Sequence, residues 1–237
     1  MRSRRSVVFL CIIFLLGGFA TSFLSAETFQ NPYRIPTPSD PASVVIGDLN
    51  GDGLPDILWG DTSTSPSTMR VLLARPGGGY VSAPGLQLPA NTSVGCYVAD
   101  FNKDGRADLI CAASNQYNTV LRVFLGNGGG TFQAAISTAL PASNNNSYPV
   151  IDMYAPADLN NDGIPDVIVS DAYSFQGYVL LGDGAGGFRT PISLSPGTNL
   201  VAPIVTDLNG DGKVDLFWAV GPSVALGNGD GTFAPQE

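Results

Sequence analysis

With 237 residues, 44% of them hydrophobic, the chain is long enough and apolar enough to bury a core, which excludes an acidic disordered tail. Its 11 basic residues against 20 acidic ones (net −9) argue against nucleic acid and anionic membrane surfaces as partners, since both need a basic footprint. There is no histidine, so Ser-His-Asp and Cys-His catalysis, HExxH zinc sites and imidazole general bases are excluded, while carboxylate-based enzymes are not.

The first segment in chain order, residues 1–26, reads as an export signal. Arg2, Arg4 and Arg5 precede an uncharged apolar run over 7–20, and "FLSA" supplies small residues before Glu27. Cleavage after Ala26 is the expectation. The competing reading is an uncleaved anchor, because residues 7–24 form 18 uncharged positions, near the lower limit of a spanning helix, although Gly17, Gly18, Thr21 and Ser22 weaken that helix. Either way the rest of the chain is expected in an oxidising compartment: secreted, periplasmic or at the cell surface. Removing the signal leaves eight basic and 20 acidic residues, a net charge of −12, and no further membrane-inserting segment.

Residues 27–237 read as a single repeat domain. The nonapeptide "DLNGDGLPD" (48–56) recurs as "DFNKDGRAD" (100–108), "DLNNDGIPD" (158–166) and "DLNGDGKVD" (207–215), in units that start near 44, 96, 154 and 203. A second signature follows in phase: "LLARPGGGY" (72–80), "FLGNGGGTF" (124–132), "LLGDGAGGF" (180–188) and "ALGNGDGTF" (225–233). Within a unit, short β-branched or aromatic runs are bounded by Gly, Pro, Asn and Asp, and no window outside the signal keeps a helical period. In the first unit the predicted strands are 43–46, 57–59, 69–74 and 80–88. Four short strands per unit of about 50 residues define an all-β, propeller-type array of four blades, either a small closed ring or part of a larger one. The segment "TFQNPYRIP" (28–36) is similar to the stretch that follows the Gly-rich turn elsewhere, so it is a candidate to supply the outer strand of the short last unit.

Carboxylates packed this closely into a hairpin tip repel one another unless something positive sits among them. A divalent cation is the simple answer, and Asp, Asn and backbone carbonyl are the hard oxygen donors that suit Ca²⁺. The candidate ligands are Asp48, Asn50, Asp52, Asp56 and the carbonyl of Leu54; Asp100, Asn102, Asp104, Asp108 and the carbonyl of Arg106; Asp158, Asn160, Asp162, Asp166 and the carbonyl of Ile164; and Asp207, Asn209, Asp211, Asp215 and the carbonyl of Lys213. The glycine at the sixth position allows the backbone reversal, and the ninth-position aspartate is placed to close the far side with both oxygens. No EF-hand is present, because the twelfth position holds Trp59, Cys111, Val169 or Trp218 rather than glutamate. The alternative is an Asx-rich turn with no metal. Twelve of the 20 acids lie in these tips, so up to four Ca²⁺ ions would bring −12 to −4.

Other features read as structure. The Gly-rich turns are followed by Phe or Tyr and a strand rather than a helix, so they are β-turns and not phosphate cradles. Cys96 and Cys111 fall on the two arms of one predicted hairpin, as a cross-strand disulfide or as two buried thiols. Trp59 and Trp218 take equivalent places and are expected to pack between blades. The inter-strand segments 114–118, 143–148 and 171–178 differ between units and are candidates for a recognition surface.

The nonapeptide together with "LGNGDGTF" at blade spacing resembles the FG-GAP / VCBS repeat family, which includes the calcium-binding blades of integrin alpha-chain propellers. The resemblance covers essentially all of 27–237 and implies Ca²⁺ ligation by the four residue sets above. Propellers of this family usually have around seven blades, whereas four units stand here. The function it implies is a non-catalytic module binding a glycan or protein partner. The alternative is part of a polysaccharide-degrading enzyme, for which Asp61, Asp152 and Asp171 are the spare carboxylates outside the tips.

Overall fold

A computed structural model describes residues 41–64, 66–90, 92–114, 119–141, 151–171, 176–194, 203–218 and 222–234. The export signal, the 28–36 segment and most of the three variable segments lie outside the described residues, all of which belong to the compact unit Thr37–Glu237. Every regular element described is a strand, and none of the described residues forms a helix long and apolar enough to cross a membrane.

The strands group into successive antiparallel meanders. Blade 1 consists of β1 (Pro41–Gly47), β2 (Asp56–Asp61), β3 (Thr68–Ala74) and β4 (Tyr80–Gln87), in that spatial order. Blade 2 contains β5 (Thr92–Ala99), β6 (Asp108–Ser114), β7 (Thr119–Phe124), the small hairpin β8 (Gly126–Gly128) and β9 (Thr131–Phe132), and β10 (Ile136–Ala139), with sheet order β5, β6, β7, β10. Blade 3 is β11 (Ile151–Met153), β12 (Val167–Asp171), β13 (Gln176–Leu180) and β14 (Ile192–Leu194). Blade 4 shows three described strands, β15 (Ile204–Thr206), β16 (Asp215–Trp218) and β17 (Ser223–Ala225). The described strands form a partial propeller, one of the two architectures that the repeat spacing leaves open.

Local chemistry sets the strand details. The outer strand β4 carries Pro84, which has no N–H for a ladder and is tolerated at an edge. The pairing skips there, Met69 facing Leu86 and Val71 facing Ala83, and Gly85 lies against β3 with its Cβ position only 2.5 Å from the Met69 carbonyl oxygen. A side chain at that point would collide with backbone.

The core lies between blades, because alternate residues of the second strand point to opposite faces. Leu109 and Cys111 of β6 pack back on blade 1 with Leu58 and Val71, whereas Ile110 packs forward on blade 3 with Val167 and Val169. Ile168 of β12 likewise packs forward on Leu216 and Trp218 of β16. Trp218 is thus a packing residue of the blade 3–4 junction, and Trp59 is buried at the equivalent place in blade 1.

A close approach recurs at each junction. Gly186, with φ +87°, has its Cβ position 2.8 Å from Leu125 Cδ2 and 3.0 Å from Ile136 Cδ1. Replacing Gly186 by Ala combines left-handed strain with overpacking, so urea unfolding is expected to lose at least about 2 kcal/mol. The control Gly77→Ala has φ +87° but open space around it, and its expected loss is about 1 kcal/mol.

Candidate metal centre

Each nonapeptide forms the turn between the first and second strands of its blade, and its backbone is the same in all four. The fourth and sixth positions are left-handed: Gly51 and Gly53, Lys103 and Gly105, Asn161 and Gly163, Gly210 and Gly212. Lys103 at φ 58° and Asn161 at φ 59° adopt this conformation without being glycine, so the second reversal cannot be read from an unvarying residue.

The first-position aspartate caps this turn. Asp48 Oδ1 accepts from the N–H of Gly51 at 2.8 Å and of Asp52 at 3.2 Å, and Oδ2 accepts from Gly53 at 2.8 Å. The Gly105, Gly163 and Gly212 amides donate in the same way to Asp100, Asp158 and Asp207. Asn50 accepts from the Asp52 N–H and donates its amide to Asp52 Oδ2, and Asp52 Oδ1 accepts from the Leu54 N–H. Slight desolvation pushes the Asp48 carboxyl upward, but the amides of Gly53, Gly51, Asp52 and Asn50 outweigh it and hold its pKa below the ordinary aspartate value. The amides of Gly212 and Gly210 do the same for Asp207. Loops 2 and 3 also draw cations: Arg189 lies 3.3 Å from Asp162 Oδ2, Arg106 lies 3.9 Å from Asp104 Oδ2, and Lys103 Nζ donates to the Asp162 carbonyl at 3.2 Å.

The ninth-position aspartates have a role that the motif alone did not reveal. Asp56, Asp108, Asp166 and Asp215 are all fully buried. One oxygen of each accepts from the amide of the residue after the first-position aspartate, Leu49, Phe101, Leu159 or Leu208, at 2.8–2.9 Å. The other accepts from an amide just after the third strand, Gly126, Gly182 or Gly227, or from Ala74 at the end of β3, at 2.7–2.8 Å. This carboxylate pins the start of the turn to the neighbouring hairpin. Burial raises the Asp108 pKa despite the opposing amides of Gly126 and Phe101. At Asp166 burial, against the amides of Gly182 and Leu159 and reinforced by Asp162 and Asp158, raises it to about 6.

Among the described residues no three Asp, Glu or Cys side chains converge as a ligand cluster, because the tip carboxylates turn onto their own amides. The donor set nevertheless fits a hard cation. It is all oxygen, and an ionised carboxylate has about four lone-pair sites, so Asp48, Asp52 and Asp56 all keep free acceptor capacity after these hydrogen bonds. The residues that would hold Ca²⁺ are those of the first, third, fifth and ninth positions, with the seventh-position carbonyl.

The spare carboxylates are dispersed. Asp61 is buried and takes Arg70 Nε at 3.1 Å and Nη2 at 3.0 Å, as well as the Ser63 hydroxyl. Asp171 is buried at the end of β12. Asp152 is exposed and lines a cavity of ≈ 370 Å³ with Ser43, Cys96, Tyr97 and Met153, where the first strands of blades 1, 2 and 3 approach one another. Tyr97 there has its pKa raised by burial and by the nearby Tyr154 and Asp152. Cys96 and Cys111 face each other across β5 and β6, with Cα atoms 4.4 Å apart, and are joined as a disulfide.

Repeated four-stranded blades with acidic turn tips define a β-propeller-type repeat protein. The sequence profile of the FG-GAP-like repeat matches residues 22–59, 100–169 and 158–218, and the chain belongs to that family. A T-cell immunomodulatory protein homolog from Plasmodium yoelii yoelii is 26% identical over 208 residues, covering 74% of this chain and 29% of the relative. In the solved structures, an Agrocybe aegerita lectin that recognises non-reducing terminal N-acetylglucosamine shares the fold, with a TM-score of 0.53 and 23% identity over 81% of this chain and 50% of its own. The chain therefore spans half or less of the length of these relatives.

Replacing Asp166 by Asn turns one of its two amide acceptors into a donor, and an expected 1–3 kcal/mol of stability, on the order of one buried unsatisfied group, is lost in urea unfolding. In metal-free buffer the effect depends on pH with a defined sign. A carboxyl raised from 3.8 to about 6 binds its proton preferentially in the folded state, so its contribution grows as pH falls from above 6 toward 4. The gap in stability between wild type and Asp166→Asn is expected to be wider at the lower pH.

Proposed function

We propose that the chain is an exported, calcium-stabilised propeller module that binds a glycan and performs no chemistry. The observation that carries the calcium reading is the repetition, in four hairpin tips, of one oxygen-only donor set held in place by backbone amides. Bound Ca²⁺ would neutralise the tip carboxylates and, held only by the folded loop, stabilise the fold by about 2.7 kcal/mol per site at a hundredfold excess over Kd. Export rests on the composition of residues 1–26.

The glycan reading is supported by the cavity beside Asp152. Its ≈ 370 Å³ suits a small ligand, and its lining combines a carboxylate, a phenol, a hydroxyl and the apolar Met153. The lectin that shares the fold recognises a terminal sugar, which favours a glycan. The name of the Plasmodium relative favours a protein ligand as the second reading. A glycosidase needs two carboxyl groups flanking a scissile bond in an open cleft. Asp61 and Asp171 are buried within their blades, which supports binding over catalysis.

Thermal melts with millimolar Ca²⁺ and with chelator are expected to differ by roughly 5–10 °C for one occupied site and more for several. Asp48→Ala should remove one ion from the calorimetric stoichiometry. Identical melts would reject the calcium reading. On a glycan array, retention without turnover is the expected result, and cleavage of any polysaccharide would replace the module by the enzyme.

A further inference from the structure

The internal junctions share a knob and a hole. Leu73 Cδ2 lies 3.1 Å from the Cβ position of Gly130, Leu125 Cδ2 2.8 Å from that of Gly186, and Leu181 Cδ2 2.7 Å from that of Gly231. In each case a leucine that precedes the amide bound by the buried aspartate enters a buried glycine of the next blade's hairpin. The corresponding leucine of blade 4 is Leu226, 41% exposed where Leu181 is 8% exposed. The corresponding glycine of blade 1 is Gly78, exposed and with nothing within 4 Å of its Cβ position. The described array ends with an unused knob on one face and an unused hole on the other.

The remaining end-face residues follow the same rule. Leu49, Phe101 and Leu159, at the second position of the tips, are 3%, 1% and 3% exposed and pack in the junctions, but Leu208 of blade 4 is 45% exposed. Ile204, which pairs with Phe217, is exposed where Val45 and Tyr97 pack in junctions from the same register position. On blade 1, Val44 and Ile46 are exposed at the places where Cys96 and Val98 of blade 2 pack back on blade 1. Tyr80 is exposed at the place of Phe132, Phe188 and Phe233, which all pack in junctions. Val44, Ile46, Tyr80, Ile204, Leu208 and Leu226 are all the large exposed hydrophobic residues among the described ones, three on each end face.

We propose that these two faces are the halves of one interface, with blade 4 of one copy docked on blade 1 of a second copy and Leu226 seated against Gly78. The occupant is a second copy because the faces complement each other and neither complements itself. The contact repeats a junction geometry that the chain already forms three times within itself. It is a heterologous, head-to-tail contact, and two copies that each use both faces form a closed dimer with no apolar end left in water. Apolar patches of this kind on a soluble protein mark interaction sites.

Light scattering on the eluting protein at tens of micromolar is expected to give twice the monomer mass. Leu226→Asp and Ile46→Asp, both at exposed positions, should each give a folded monomer whose circular dichroism matches wild type and whose melting temperature, unlike that of the wild-type dimer, does not depend on protein concentration. Because the contact is head-to-tail, mixing the two variants leaves one intact knob face and one intact hole face, so a dimer should return that neither variant forms alone. A monomeric wild type would overturn the proposal, as expected if blades of a longer chain cover these faces. A dimer unaffected by either substitution, or a mixture that stays monomeric, would overturn it equally.

Discussion

The buried ninth-position carboxylate is the constraint on which each blade depends. An ionised group in an apolar setting is costly unless its oxygens are satisfied, and here each oxygen receives one backbone N–H. One amide belongs to the turn tip and the other to the far side of the next hairpin, so the carboxylate ties the first, second and third strands together at one point. The same two-amide arrangement at Asp56, Asp108, Asp166 and Asp215 explains why the tips superpose in chemistry although the residues between their fixed positions vary.

That anchor fixes where the tip carboxylates stand. Their mutual repulsion is moderated first by the amides of the left-handed turn, which lower the pKa of Asp48 and Asp207, and in loops 2 and 3 by Arg106, Lys103 and Arg189. The tip is thus ordered by hydrogen bonds to its own backbone, which is the preorganisation that the proposed hard-cation site would need. The unequal placement of basic side chains means that the four tips are alike in donors but not in surrounding charge.

Much of this was legible in the residues. The first unit's predicted strands match β1 to β4 to within two residues, because β-branched runs bounded by Gly, Pro and Asp leave few alternatives. The cross-strand position of Cys96 and Cys111 followed from counting outward from one turn, and the equivalence of Trp59 and Trp218 from the same count. The partners of the ninth aspartate were not legible, since the second amide lies 12 to 18 residues downstream on another hairpin. Nor was the left-handed fourth position, where Lys103 and Asn161 stand in place of glycine.

The sequence by itself determined the repeat, the strand period and the oxygen-rich tips, because each is a local property of spacing and residue type. Only the tertiary structure decided which face of each strand meets which neighbour. Alternation along a strand defines two faces, but it does not say which points to the preceding blade and which to the next. That assignment places Leu109 and Cys111 on one side of β6 and Ile110 on the other, and it sets Leu73, Leu125 and Leu181 against Gly130, Gly186 and Gly231. It comes from packing between blades, where a leucine meets a glycine 50 to 61 residues away, and no local pattern carries that distance.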